Sequence, residues 1–190
     1  MSRYAILFPG QGSQKVGMGT DLFSTRRDLL VDTADRVLGW SLETLVTQGP
    51  QEELTKTEHA QPALYAVSYV LWEALRGALP APPAASAGHS LGEYTALAAS
   101  GALSYTEGLA LVAERGRAMA AAPTANDPSG MAALIGADLE HAERIAVDRR
   151  AVGGRLWVAN VNTPSQIVLA GSHIDIEWLR ENARSLGIRR

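Results

Sequence analysis

Residues 88–92 read Gly-His-Ser-Leu-Gly and separate two apolar runs, at residues 84–87 and 94–99. The first run is short enough for a buried strand, and the second is rich in alanine and suits a helix. A serine in a strand-to-helix turn, with glycine two positions to each side, is the pattern of a nucleophile elbow. The turn is sharp, so a Cβ at either flanking position would crowd the neighbouring strand or helix. The pattern predicts an α/β fold with the Ser90 hydroxyl beside helix N-terminal amides, although a glycine-rich turn that contains a serine by chance fits the same five residues.

The composition is that of a globular protein. The 190 residues are 46% hydrophobic and 19% charged, and the net charge of −3 does not favour a nucleic-acid partner. The sequence contains no cysteine, which excludes disulfides, cysteine metal sites and a cysteine nucleophile within it. The apolar run after Tyr4 is too short for the core of a signal peptide, and no apolar stretch approaches the length of a membrane span. We therefore expect a cytoplasmic protein that does not enter a membrane.

A second glycine-containing loop follows the first predicted strand, at residues 9–14, with the sequence Pro-Gly-Gln-Gly-Ser-Gln. It lacks the lysine of a phosphate-binding Walker loop, and Lys15 stands where a dinucleotide-binding loop needs its third glycine. By itself this segment favours a plain tight turn.

The rest of the first half predicts mainly helices. Residues 28–38 have the periodicity of an amphipathic helix, residues 48–57 read as a polar surface loop, and residues 60–79 predict a long helix. A capping box at residues 104–107 begins another helix, on which Arg115 and Arg117 lie on different sides of the axis.

The pattern changes after a linker at residues 123–130. The following residues predict the order β-α-β-β-α, with Ser172 capping the last helix. This order is the split ferredoxin-like unit without its final strand, which residues 188–190 barely start. We therefore expect two parts, residues 1–128 and residues 129–190.

Three stretches in this order carry a family resemblance: the loop at residues 8–14, the elbow at residues 88–94, and Glu-Arg-Gly-Arg at residues 114–117. With them the chain resembles the malonyl-CoA:acyl carrier protein transacylases and the acyltransferase domains of polyketide synthases. The resemblance implies an α/β-hydrolase-like core, here its N-terminal part, with an inserted ferredoxin-like subdomain. It also implies transfer of malonyl from malonyl-CoA to the phosphopantetheine thiol of an acyl carrier protein. Malonyl-CoA is then a substrate, and no permanently bound cofactor or metal is expected.

The resemblance assigns catalytic roles to single residues. Ser90 is the nucleophile, and the backbone N–H groups of Gln11 and Leu91 form the oxyanion hole. Arg115 grips the malonyl carboxylate, for which a guanidinium is suited because it binds a carboxylate bidentately. Arg117 is expected to face solvent.

Three further residues carry weaker assignments. His89 matches a family position that packs around the acyl group, and a structural histidine at the elbow is the equal alternative. Asn160 and Asn162 match the subdomain side of the substrate cleft, and asparagines that form the hairpin turn are the alternative.

The general base of the family is a histidine that follows the small subdomain, and this sequence ends before that point. None of His59, His141 and His173 sits in the family's local pattern for the base. We therefore expect this chain alone to be inactive or impaired, as a fragment of a longer enzyme. The alternatives are a short, catalytically incomplete homologue that binds an acyl carrier protein or a complementary chain, and a serine esterase or thioesterase that uses the same elbow.

Overall fold

The computed structural model describes residues 3–122 and 128–189. The chain divides into two compact units, Met1–Ala121 and Ala122–Arg190. Both units combine helices with strands, as expected for the α/β class.

The first unit consists of two strands and a larger number of helices, and its main core is formed by the helices. In chain order its elements are β1 (Ala5–Phe8), α1 (Thr20–Thr25), a π-helix (Asp28–Thr33), α2 (Ala34–Leu38), α3 (Leu42–Gln48), α4 (Gln51–Thr55), α5 (Thr57–Arg76), β2 (Ala85–Gly88), α6 (Gly92–Ala99) and α7 (Tyr105–Ala121).

Strands β1 and β2 form a parallel pair in which Phe8 lies opposite Gly88. One face of the pair is buried, where Phe8 packs with Trp72 of α5 and Ala96 of α6. The other face is open, and Leu7 is 76% exposed. Because parallel strands end at the same edge, the loop after β1 and the turn after β2 leave the sheet side by side.

Helices α5 and α7 pack closely, and two glycines on α7 make this possible. A methyl group at Gly108 would overlap the hydroxyl of Tyr65, and one at Gly116 would lie 3.0 Å from Glu58 Cα. Burial raises the pKa of Tyr65, so its hydroxyl stays protonated and donates a hydrogen bond of 3.0 Å to the carbonyl of Tyr105. This close packing brings the side chains of the two helices within direct reach of each other.

Two expectations for this unit were wrong in detail. The stretch from residue 28 to residue 38 is a π-helix followed by a short α-helix rather than one amphipathic α-helix. The expected loop at residues 48–57 contains helix α4, which forms because Leu54 is fully buried against the core. One apolar residue in a polar stretch was too weak a signal for a helix.

The second unit has the predicted order β-α-β-β-α. Its elements are β3 (Ser129–Ile135), α8 (Leu139–Ala151), β4 (Leu156–Thr163), β5 (Gln166–Ser172) and α9 (His173–Asn182). The strands are antiparallel in the order β3-β5-β4. Ser172 caps α9 as predicted, because its hydroxyl accepts a hydrogen bond from the amide of Asp175.

Strand β3 has one open edge among the described residues, since β5 is its strand partner there. A groove of about 250 Å³ lies along β3 and α9, and Ile188 contributes to its lining. Ile188 is buried in the apolar core of the unit, but residues 188 and 189 form no strand. The open edge agrees with a ferredoxin-like unit that lacks its last strand.

Within the described ranges, no helix combines the length and the apolar character needed to cross a membrane.

Candidate active site

Ser90 occupies the turn between β2 and α6, as predicted for an elbow. Its φ is 55°, and among the described residues it is the one non-glycine position with a positive φ. A side-chain-bearing residue in this left-handed region is strained, so the surrounding structure must hold it there. Ser90 is also exposed, so its hydroxyl is open to a substrate.

The flanking glycines are required by backbone packing. A methyl group at Gly88 would overlap the backbone of Gly92, and one at Gly92 would lie 2.5 Å from the carbonyl oxygen of Phe8. The turn therefore folds back on itself and against the end of β1. This confirms the steric reason given for the Gly-x-Ser-x-Gly spacing.

The first glycine loop lies directly beside the elbow. The amide of His89 donates to the carbonyl of Phe8 at 3.2 Å, and a methyl group at Gly10 would lie 2.8 Å from His89 Nδ1. The side chain of Gln11 is held at the start of α5, where Nε2 donates to Thr57 Oγ1 at 3.1 Å.

Leu91 follows Ser90 directly, at the N-terminus of α6, and its side chain is buried. The fold thus brings together the two segments that hold the proposed oxyanion donors, Gln11 and Leu91. The role of their amides stays a prediction.

Arg115 reaches Ser90 from α7. Its Nη2 donates to Ser90 Oγ at 3.0 Å, and its Nη1 donates to Gln61 Oε1 at 2.5 Å. The guanidinium carbon also lies 5.9 Å from the centre of the Tyr94 ring, within the range of a cation–π contact. Arg115 therefore brings a positive charge to the Ser90 hydroxyl.

The second arginine of α7 behaves as the sequence predicted. Arg117 is exposed, and its Nη2 pairs with Glu114 one helical turn earlier at 2.8 Å. Two residues along a helix correspond to a rotation of about 200°, which separates the two arginines onto different sides of α7.

Gln61 is the site residue that the sequence reasoning missed. It lies on α5, is fully buried, and binds Arg115 through its carboxamide oxygen. The available signal was a single amide side chain inside a run of apolar residues in the first half of α5. Buried polar groups of this kind need a partner, so their position predicts a specific contact.

The histidines have different surroundings. His59 Nδ1 lies 3.1 Å from both the carbonyl and the carboxylate of Glu53, and its ring packs edge-on against Trp40. His141 is half-buried on α8, and His173 is exposed at the start of α9. His59 therefore has a structural environment, and the expectation that none of these three is the general base stays a prediction.

Asn160 and Asn162 lie on β4 in the second unit. Asn160 is half-buried, whereas Asn162 is exposed and its Nδ2 donates to Gln166 Oε1 at 3.1 Å, across the hairpin. The contact of Asn162 is the kind expected for a residue that shapes a hairpin. Their proposed contacts with substrate stay predictions.

No cluster of three or more histidine, aspartate and glutamate side chains is placed to hold a metal ion within residues 3–122 and 128–189.

Known proteins resemble this chain over nearly all of its length. The sequence matches the family described as "Acyl transferase domain" over residues 6–189. It is 40% identical over 192 residues, 100% of this chain, to the malonyl CoA-acyl carrier protein transacylase of Bacillus subtilis. It is 44% identical over 187 residues, 95% of this chain, to the polyketide biosynthesis protein ThaF of Burkholderia thailandensis.

The structure is similar to a solved malonyl-transacylase in complex with its type II polyketide acyl carrier protein. The TM-score is 0.86 at 37% sequence identity, and the match covers 100% of this chain and 61% of that chain. The chain spans 60% of the length of the Bacillus subtilis transacylase and 15% of ThaF.

Proposed function

The chain belongs to the acyl transferase domain family, and on this premise we propose that the protein moves a malonyl group from malonyl-CoA to the phosphopantetheine thiol of an acyl carrier protein. The pathway is fatty acid or polyketide biosynthesis. The observation that carries the proposal is the hydrogen bond of 3.0 Å from Arg115 Nη2 to Ser90 Oγ, since it joins a permanent cation to an elbow nucleophile.

The reaction has two halves. Ser90 Oγ attacks the thioester carbon of malonyl-CoA, the carbon–sulfur bond breaks, and coenzyme A leaves as its thiol with the proton lost by the serine. The thiol of the carrier protein then attacks the malonyl-serine ester, and the ester bond to Ser90 breaks. The proton of the thiol passes to Ser90 Oγ. Serine is a weak nucleophile without a base beside it, and an arginine cannot accept the proton. We propose that a histidine outside this sequence supplies that base.

Each attack places negative charge on the former carbonyl oxygen. We propose that the amides of Gln11 and Leu91 stabilise this charge. The support for this role is that the loop after β1 lies against the elbow and that Leu91 begins α6, where backbone N–H groups point out of the helix.

The position of Arg115 supports malonyl as the acyl group that is transferred. In a malonyl thioester a single methylene separates the free carboxylate from the reacting carbonyl, so a cation that binds the carboxylate has to lie close to the nucleophile. Arg115 meets this requirement, and the malonyl carboxylate would replace Ser90 Oγ as the acceptor at Nη2. An acetyl or fatty acyl group would leave the charge of Arg115 without a partner. The same reason disfavours a general serine esterase.

We propose that residues 1–128 contain the nucleophile Ser90 and the carboxylate-binding Arg115. Residues 129–190 would contribute Asn160 and Asn162 to substrate binding. For His89, packing around the acyl group and a structural role at the elbow stay equal alternatives. A cytoplasmic location, malonyl-CoA as substrate and the lack of a permanently bound cofactor belong to the proposal as well.

The test is acyl labelling followed by mass spectrometry of the intact protein, at the full length that its gene encodes. It uses malonyl-CoA and acetyl-CoA in parallel, with Ser90→Ala and Arg115→Ala as variants. We expect a malonyl adduct on Ser90 that is absent from Ser90→Ala, and malonyl labelling that is selectively lost in Arg115→Ala.

Equal labelling by malonyl-CoA and acetyl-CoA would contradict the proposal that Arg115 binds the malonyl carboxylate. Association with an acyl carrier protein in the absence of any adduct would indicate a binding protein rather than an enzyme.

A further inference from the structure

The carboxamide of Gln61 is the most deeply buried polar group at the site. The residue is fully buried, and Oε1 accepts a hydrogen bond of 2.5 Å from Arg115 Nη1. Its Nε2 donates to Met119 Sδ at 3.3 Å. The guanidinium of arginine has only hydrogen-bond donors, so the carboxamide oxygen has to face Arg115. This requirement determines the orientation of the amide.

The two partners of Gln61 stand one helical turn apart on α7. Residues separated by four positions lie on the same face of a helix, so one carboxamide bridges Arg115 and Met119. This geometry depends on the close approach of α7 to the start of α5, where Gly116 lies against the backbone of Thr57 and Glu58. Gln61 is therefore held by the packing of the two helices and in turn holds the arginine.

The two terminal nitrogens of the Arg115 guanidinium have different partners. Nη1 is bound to Gln61, while Nη2 points to Ser90 Oγ. A carboxamide accepts this hydrogen bond without carrying charge, so Arg115 keeps its full positive charge for a ligand. A carboxylate in the same place would form an ion pair and weaken the attraction of Arg115 for a second carboxylate.

From this arrangement we propose that Gln61 is a positioning residue that sets the preference of Ser90 for dicarboxylic over neutral acyl groups. It acts by aiming Nη2 of Arg115 at the nucleophile while leaving the charge of the arginine uncompensated. This inference rests on the proposed transacylase function and adds to it the residue on which acyl selectivity depends.

The experiment compares Gln61→Met and Gln61→Glu with the wild-type protein at the full length that its gene encodes. Methionine has a similar volume but no strong acceptor for Arg115, and glutamate keeps the acceptor but adds a charge. The readout is the ratio of single-turnover labelling rates of Ser90 by malonyl-CoA and by acetyl-CoA. The control is Gln48→Met, because Gln48 is exposed at the end of α3.

For Gln61→Met we expect malonyl labelling to fall about tenfold or more, since a hydrogen bond to a charged group is lost, while acetyl labelling changes less than about threefold. For Gln61→Glu we expect malonyl labelling to fall as well, with acetyl labelling retained. Glutamate keeps the acceptor for Arg115 Nη1, but its carboxylate neutralises the charge that Arg115 otherwise offers to malonate. Gln48→Met should match the wild type in both rates.

An equal loss of both rates in Gln61→Met would show that Gln61 supports the fold or the nucleophile rather than selectivity, and would overturn the inference. Unchanged rates would overturn it too. If Gln61→Met does not fold, the selectivity ratio of Gln61→Glu decides alone, and an unchanged ratio overturns the proposal. A wild-type protein without a malonyl adduct would overturn the proposed function and this inference together, whereas a normal adduct with an unchanged ratio overturns the inference alone.

Discussion

The guanidinium of Arg115 donates a hydrogen bond of 3.0 Å to Ser90 Oγ, across 25 residues of sequence. The serine is held in a left-handed conformation by the turn between β2 and α6. The arginine reaches it from α7, which packs against α5 through Gly108 and Gly116. The pair combines the serine hydroxyl of the elbow with a cation, and this combination distinguishes the site from a bare serine elbow.

Replacing Arg115 by lysine should slow malonyl labelling of Ser90 by about tenfold to a hundredfold. An ammonium keeps the charge but lacks the planar fork that serves Gln61 and Ser90 together. Labelling rates with malonyl-CoA and acetyl-CoA measure the effect, and the acetyl rate should stay close to that of the wild type. The matched control is Arg117→Lys, because Arg117 is exposed and pairs with Glu114. If the two variants behaved alike, the charge alone would account for the role of Arg115.

Gly88→Ala should destabilise the first unit by at least about 3 kcal/mol, because the added methyl group overlaps the backbone of Gly92 and no flexible side chain can move away. Urea unfolding measures the change. Gly77→Ala is the control, since Gly77 has a helical conformation with open space around it, and we expect a change within about 1 kcal/mol. Similar losses in both variants would disprove the steric account of the elbow.

The 190-residue chain by itself should transfer malonyl to an acyl carrier protein about a hundredfold or more slower than the protein at the full length that its gene encodes, because a positioned general base contributes at least that factor. The reason is that Arg115 lies on Ser90 Oγ but cannot accept its proton, since a guanidinium carries donors and no acceptor. Adding imidazole as an external base should therefore raise the rate. Fast transfer that does not respond to imidazole would place the general base within the 190 residues.

Asp175 should make the stability of the second unit depend on pH in acid. Burial by itself raises the pKa of this carboxyl, but hydrogen bonds from Ser172, the amide of Arg155 and Arg149 outweigh it and lower the pKa below its ordinary value. The ionised form is therefore favoured in the folded state. Its contribution to stability is present above the ordinary pKa of an aspartate and is lost as the pH falls through the lower folded pKa.

We expect Asp175→Asn to lower the free energy of unfolding by about 2–3 kcal/mol near neutral pH, because the ion pair of 2.6 Å with Arg149 is lost in a buried setting. Tryptophan fluorescence during urea unfolding reports on it, since Arg149 lies 4.7 Å above the ring of Trp178. The difference from the wild type should shrink in acid. The exposed Asp148→Asn should change little, and a difference for Asp175→Asn that did not depend on pH would exclude the carboxylate as its source.

Local patterns predicted a large part of this fold. The capping box at the start of α7 forms as expected, since the amide of Glu107 donates to Ser104 Oγ and the amide of Ser104 donates to the Glu107 carboxylate. The β-α-β-β-α order of the second unit is confirmed for the same reason, because alternation, turn residues and caps are encoded within a few neighbouring positions. Helix α4 was missed because its stability comes from the burial of Leu54 against distant residues.

The sequence alone determined the elbow, because the spacing of Gly88, Ser90 and Gly92 is a requirement of backbone sterics within five residues. It also determined that Arg115 and Arg117 lie on different sides of one helix, which follows from helical geometry. Only the tertiary structure decided what Arg115 contacts. Gln61 and Ser90 are 54 and 25 residues away from it in sequence. The packing of α7 against α5 brings Arg115 to Gln61, and the turn between β2 and α6 places Ser90 within reach of the same guanidinium. Side-chain contacts of this kind depend on the distance between helices, and that distance results from packing across the whole unit rather than from any local pattern.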